Sequence, residues 1–167
     1  MKKRRGVALL LVIGLICIWM GGCAEDGELW RTDTLQGISY SAPNNWTLQE
    51  GGNFKSYGGV DGAVLLVTAL ADAPADLESA YEEFTGTMAN RRETGREELA
   101  IAGQPGLHCT VQHRSDKTEL TSGVVLFALD GTTYIFALTC KEKSFEQYGE
   151  IWQTILTSVV PAEGAQT

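Results

Sequence analysis

The 167-residue sequence is short of the parts from which most active sites are built. It has only two histidines, His108 and His113, and four cysteines. No G-x-S-x-G elbow for a nucleophilic serine occurs. GGNFKS, residues 51–56, fails as a phosphate loop because Phe54 stands where a glycine should precede the lysine. Basic residues are scarce as well. Four of the 13 are crowded into residues 2–5, which leaves nine against 21 acidic residues over 23–167, a net charge of −12. Phosphate repels such a body, which argues against nucleic acid and against anionic lipid as a ligand of the folded surface. No apolar run reaches the roughly 20 residues a bilayer span requires. The longest, residues 7–20, has 14 residues between the glycines that flank it, Gly6 and Gly21.

That short run sits in an informative setting. KKRR precedes it, and Gly21, Gly22 and Cys23 follow. A basic end, a short apolar core and small residues at the cut make an export signal over residues 1–22; an uncleaved membrane anchor is the alternative. MGGC, residues 20–23, resembles the lipobox of bacterial lipoproteins, with Met20 where leucine is usual. The resemblance implies a diacylglyceryl group on the Cys23 sulfur and a mature chain beginning there. Two acyl chains hold a protein stably on a bilayer. Cys17 follows the bulky Ile16 and reads as part of the apolar core. The expected membrane partner is therefore reached through Cys23, with residues 23–36 as a polar tether to which Leu29 and Trp30 could add a short edge strand.

From Gly37 onward the pattern is that of a folded domain, residues 37–160. ISYSAP alternates as a strand closed by Pro43, WTLQE and NFKSY follow among glycine turns, and AVLLVTAL is a continuous apolar strand. Continuous apolarity predicts cover on both faces. Leu77, Ala80, Tyr81, Phe84 and Met88 recur at helical spacing behind a cap at Asp76, predicting a helix that runs through Gly86 to Arg92. Its acids Glu78, Glu82 and Glu83 fall on the outer, solvated side. Four more strands follow in ELAIA, GLHCTVQHR, TELTSGVVLFAL and TYIFALTC, the last two joined by Asp130 and Gly131, a strong hairpin pair. Ser144 and Gln147 have the spacing of a capping box for a closing helix with the stripe Phe145, Tyr148, Trp152, Ile155, Leu156 and Val159. Pro161 ends it, and residues 161–167 form a frayed tail. The order predicts an α+β fold, a mostly antiparallel sheet sandwiched between helices in three layers.

His108, Cys109 and His113 invite a metal reading that strand geometry rejects. Neighbouring strand residues face opposite ways, and Cys109 and His113 lie about 13 Å apart along the strand rise. No metal or cofactor is expected. Cys109 and Cys140 fall on strands flanking a third, about 9.6 Å apart, beyond the roughly 7 Å a disulfide tolerates. Asn45–Thr47 spells a glycosylation sequon, read as chance in a bacterial lipoprotein, with Trp46 in the core.

The opening strand, proline and tryptophan of ISYSAPNNWTL, the order of elements and the closing YGEIWQTILTSV resemble the PsbP-like family. That family takes in extrinsic photosystem subunits, Mog proteins and DcrB-type lipoproteins. The resemblance implies an antiparallel sheet between helices and a binding or assembly role without a shared catalytic centre. The expected function is a non-enzymatic, surface-tethered lipoprotein of the cell envelope that binds an envelope protein. The alternatives are a small-ligand receptor with a pocket between sheet and helix, or an envelope enzyme.

Overall fold

The structure, a computed structural model, describes residues 29–71 and 76–162. Within them the chain runs β1 (Trp30–Leu35), β2 (Ile38–Pro43), β3 (Thr47–Glu50), β4 (Phe54–Gly58), β5 (Val64–Leu70) and α1 (Leu77–Thr85). Next come β6 (Arg92–Ile101), β7 (Gln104–Ser115), β8 (Thr118–Leu129) and β9 (Thr132–Lys141). A 3-10 helix (Glu142–Tyr148), α2 (Gly149–Thr157) and β10 (Val160–Pro161) close the domain. The strands form two antiparallel sheets, one of order β1-β2-β10 and one of order β3-β4-β5-β9-β8-β7-β6. Asp130 and Gly131 both take positive φ, 50° and 77°, in the tight turn between β8 and β9. This is the conformation an Asp-Gly pair favours.

Burial follows the alternation of the central strands. Val124 and Leu126 of β8 join Cys109, Val111, Ile135 and Ala137 on the face covered by α1. Val125 and Phe127 join Tyr134, Phe136 and Leu138 on the other face, which meets the small sheet and α2. Three layers result, as the apolar runs predict. One outer layer, however, is a second sheet with α2 beside it rather than a helix alone.

Four boundaries differ from the sequence reading. The sheet begins at Trp30, because Arg31, Asp33 and Leu35 turn inward and β1 pairs along β2 from Pro43 to Ile38. Helix α1 stops at Thr85 instead of reaching Arg92. Gly86 carries the usual cost of about 1 kcal/mol, and Asn90 takes a left-handed φ of 54° that turns the chain into β6. Arg91 then folds back onto Glu82 and Thr85. Ser144 and Gln147 lie in the 3-10 helix and form no capping box; α2 starts at Gly149 without a side-chain cap. Two tertiary contacts hold that segment: the Tyr148 ring stands edge-on to Trp46 at 5.9 Å, and its hydroxyl donates to Asp61. Finally, Pro161 is part of β10, paired with Ile38. Proline fits there because the edge position needs no donor from it.

Candidate functional site

α1 has nine residues, about 13.5 Å of helix. β7 and β8 have twelve each, about 40 Å of strand. A single short helix cannot cover strands of that length, and past its N-terminus a cleft of about 590 Å³ opens above β6 and β7. Ala100 of β6 with Pro105 and Leu107 of β7 line its floor, the Leu99 and Gly106 backbone runs between them while the Leu99 side chain packs into the opposite core, Leu77 is its end wall, and Glu78 and Glu98 are its rim. The floor is held flat by the Leu99↔Gly106 and Ala100↔Pro105 pairs next to the hairpin at Ala102 and Gly103.

The helix wall of the cleft is fastened firmly. Asp76 caps α1, accepting from the Ser79 N–H at 2.7 Å. Arg96 of β6 pairs with Glu78, forks onto Glu93 at 2.8 Å, and stacks over the Tyr81 ring at 5.2 Å. The Tyr81 hydroxyl donates to Glu93 at 2.8 Å. Hydrogen bonds from Arg96, then from Tyr81, outweigh burial and pull the Glu93 carboxyl down to about 2. The cleft therefore has a firmly held helix wall, an apolar patch on its floor, and a rim on which Glu78 is balanced by Arg96 and Glu98 carries the remaining negative charge. This suits an extended segment with apolar side chains and a basic neighbour.

A second polar cluster lies between the two sheets. Asp33 of β1 accepts from Lys55 Nζ at 2.9 Å and from the Tyr57 hydroxyl at 2.9 Å. Tyr57 in turn shares a 2.7 Å bond with Tyr40. Burial would raise the Asp33 pKa, but the bonds from Lys55 and Tyr57 outweigh it and leave it lowered. Burial is likewise the main cause that raises the Tyr57 hydroxyl. Arg31 Nε sits 3.0 Å from Asp33 yet is not aligned for a hydrogen bond, and its guanidinium rests over the Tyr57 ring at 4.9 Å. Asp33, Lys55, Tyr57 and Tyr40 satisfy one another and clamp the two sheets, while Arg31 Nε and Nη2 stay buried without a hydrogen-bond partner and the guanidinium is held by the Asp33 charge and the Tyr57 ring. None of its members was singled out in the sequence; the one signal was the period-two placement of Arg31, Asp33 and Leu35.

The remaining sequence candidates are scattered. His108 meets Glu97 at 2.8 Å and accepts from Trp152 at 3.3 Å on the α2 face. His113, its pKa lowered by burial, bonds Ser122 at 2.9 Å. Ser122 is fully buried and shares its hydroxyl with Thr139, so no substrate reaches it. Cys109 and Cys140 are free and buried, on strands that flank β8 as the meander order predicts, and the register sets them on opposite faces of the sheet. No group of three or more His, Cys, Asp or Glu side chains suited to a metal occurs among the described residues. Glu78 and Glu82 are exposed but paired with Arg96 and Arg91. Trp46 is buried at the edge of the core. Cys23, the residues of the expected signal and most of the tether lie outside the described residues. Among the described residues no helix is long and apolar enough to cross a membrane.

No protein-family model and no curated protein sequence matches the chain. Solved structures do. The solution structure of the cyanobacterial PsbP protein of Synechocystis is similar at a TM-score of 0.58 and 14% identity, over 86% of this chain and 99% of that one. LpqN of Mycobacterium tuberculosis, described as involved in cell envelope biogenesis, is similar at 0.54 and 12%, over 81% and 86%. A Pseudomonas aeruginosa protein of unknown function, described as a putative regulator, reaches 0.57 and 17%, over 80% and 97%. The fold is PsbP-like.

Proposed function

We propose that this chain is a lipoprotein of the cell envelope, anchored through Cys23 after loss of residues 1–22, whose domain is a non-enzymatic binding or assembly module. The observation that carries the binding role is the cleft beside α1. It joins a short apolar patch from Ala100, Pro105 and Leu107 to the carboxylates of Glu78 and Glu98, and it is an open groove along the strands rather than an enclosed cavity of the kind that buries a small ligand. A protein segment suits it better than a small metabolite. Similarity in fold to LpqN, an envelope biogenesis protein, supports the same reading.

Two experiments test it. Mass spectrometry of the wild-type chain should find a diacylglyceryl group on Cys23, and Cys23→Ser should remain uncut. A photo-crosslinking residue placed at Ala100, on the cleft floor, should capture a discrete partner in the native envelope. The same residue at Gln49, on the opposite edge of the large sheet, should not. Equal capture at the two positions, or none at Ala100, overturns the assignment of the cleft.

A further inference from the structure

Five large apolar side chains are exposed among the described residues: Leu29 77%, Phe54 39%, Val60 98%, Val64 39% and Val160 50%. They are not evenly spread. β1 starts opposite Pro43, and the Leu29 carbonyl accepts from the Asn44 N–H at 3.0 Å, which puts Leu29 at the end of the molecule where β2 finishes. Trp46, two residues on, packs against Gly59, so close that a Cβ at 59 would meet its ring at 3.1 Å. Val60 comes next in the chain, and Val64 begins β5 opposite Gly58. The two most exposed apolar residues, and a third, thus share one end. Phe54 and Val160 lie towards the other, Phe54 beside the Gly51 turn and Val160 beside Ser39.

The Val60 tip is also held out deliberately. Asp61 accepts from the Ala63 N–H at 3.2 Å and from the Tyr148 hydroxyl, Gly62 donates to the Gly59 carbonyl at 3.2 Å, and Gly62 takes a φ of 86°. A loop fixed on both sides of a fully exposed valine leaves that side chain no apolar neighbour of its own. The chain leading to Leu29 comes from Cys23, six residues earlier, and six residues span at most about 20 Å. Any bilayer holding the acyl chains of Cys23 therefore lies within about 20 Å of this end. Lys141, the last residue of β9, lies near Asp61 and offsets part of the local negative charge.

Resting on the lipid-anchor reading above, we propose that this end docks on the anchoring membrane, with Val60 and Leu29 entering the headgroup–acyl boundary. The anchor supplies the proximity, so the contact needs no attraction between the acidic body and the lipid. The domain then stands with the Gly51–Gly52 and Asp130–Gly131 hairpins pointing away from the bilayer, and the cleft, which adjoins the Ala102–Gly103 hairpin, is presented outward.

The test uses the full lipidated chain in phosphatidylethanolamine–phosphatidylglycerol vesicles. Val60→Cys and, as a control at the far end, Gly52→Cys each carry an environment-sensitive nitrobenzoxadiazole probe; Cys109 and Cys140 are buried and stay unlabelled. The probe at 60 should shift to the blue and brighten severalfold on reconstitution, while the probe at 52 should keep its aqueous emission. A probe at 60 that stays aqueous on a chain shown by mass spectrometry to carry lipid on Cys23 overturns the docking and spares the anchor. A chain without lipid on Cys23 overturns both.

Discussion

Against one face of the seven-stranded sheet lie a second sheet and α2; against the other lies α1 alone. The first face buries Tyr40, Tyr57, Phe127, Tyr134, Phe136 and Trp152, with Tyr40 edge-on to Phe136 at 5.3 Å and Phe127 stacked on Tyr134 at 5.2 Å. Aromatic side chains bury the most area per residue and gain further from such pairing. The α1 face buries mostly small aliphatic groups, and Leu66, Leu70, Leu77, Phe84 and Met88 remain partly exposed. The thick face stabilises the domain. The thin face leaves room for the cleft, and the exposed ion pairs at its edge orient α1 while adding little stability. The proposed binding surface and the larger core thus lie on opposite sides of one sheet.

The sharpest attempt to break this comparison removes one aromatic from each face. Trp152 is 4% exposed, so Trp152→Ala should cost about 3–5 kcal/mol in urea unfolding. Phe84 is only half-buried, and Phe84→Ala should cost about 1–2 kcal/mol. Equal losses would mean that α1 carries as much of the core as α2 does.

Gly123 sharpens the point on the thick face. A Cβ there would meet Trp152 Nε1 at 3.1 Å and Phe145 at 3.4 Å, so the indole sits where a side chain of β8 would otherwise be. Gly123→Ala should cost about 1–3 kcal/mol by overpacking. A gain in stability, from lower chain entropy in the unfolded state, would show that α2 can shift outward freely.

How far the sequence foretold this arrangement depended on how local each signal was. β7, β8 and β9 were readable because their apolar runs and the Asp130–Gly131 turn are contiguous. Gly123, interrupting TELTSGVVLFAL, is the kind of strand glycine that marks a close approach, but nothing local in the sequence names Trp152, 29 residues on, as the group that approaches it. The periodicity that defines α1 continues to Met88, so its true end at Thr85 depends on Gly86 and on the turn at Asn90. β1 was obscured by charges that face inward, and their partners Lys55 and Tyr57 lie over 20 residues away. β10 is two residues long and exists only because Ile38 and Ser39 are there to pair with. The cleft is invisible in any one segment, since it arises from a helix shorter than the strands beneath it.

Acid should report on both faces with smaller effects. The carboxyls of Asp33, between the sheets, and Glu93, beside α1, are held below their ordinary values of 3.8 and 4.5. A carboxylate with a depressed pKa contributes stability that is complete above the unfolded value and is lost as pH falls through the folded one. Stability should therefore decline from about pH 4.5 towards pH 2. Glu93→Gln should remove part of that slope; because Glu93 is about a third exposed, its share should be about 1 kcal/mol or less. Asp33→Asn should remove a separate part, since the two clusters share no residue. Unchanged slopes in both variants would assign the acid sensitivity to other groups.

The finest comparison needs no change in stability at all, because each face holds one cysteine. Cys109 lies in the α1 layer and Cys140 in the opposite core, on strands either side of β8. Facing apart across two strand spacings, they are too distant for a disulfide, and thiol titration of the denatured, unreduced mature chain should count both as free. Burial pushes each thiol up to about 11. Both thiols are therefore protonated while buried, and each reacts when its own face opens. Single-thiol variants, Cys140→Ser for the α1 face and Cys109→Ser for the other, should be alkylated slowly in buffer. In sub-denaturing urea the Cys109 thiol should react first, since lifting one short helix exposes it, whereas Cys140 waits for α2 and the small sheet to part from the core. If Cys140 reacts first, the thick face is the one that opens, and the division between a stable side and a binding side is wrong.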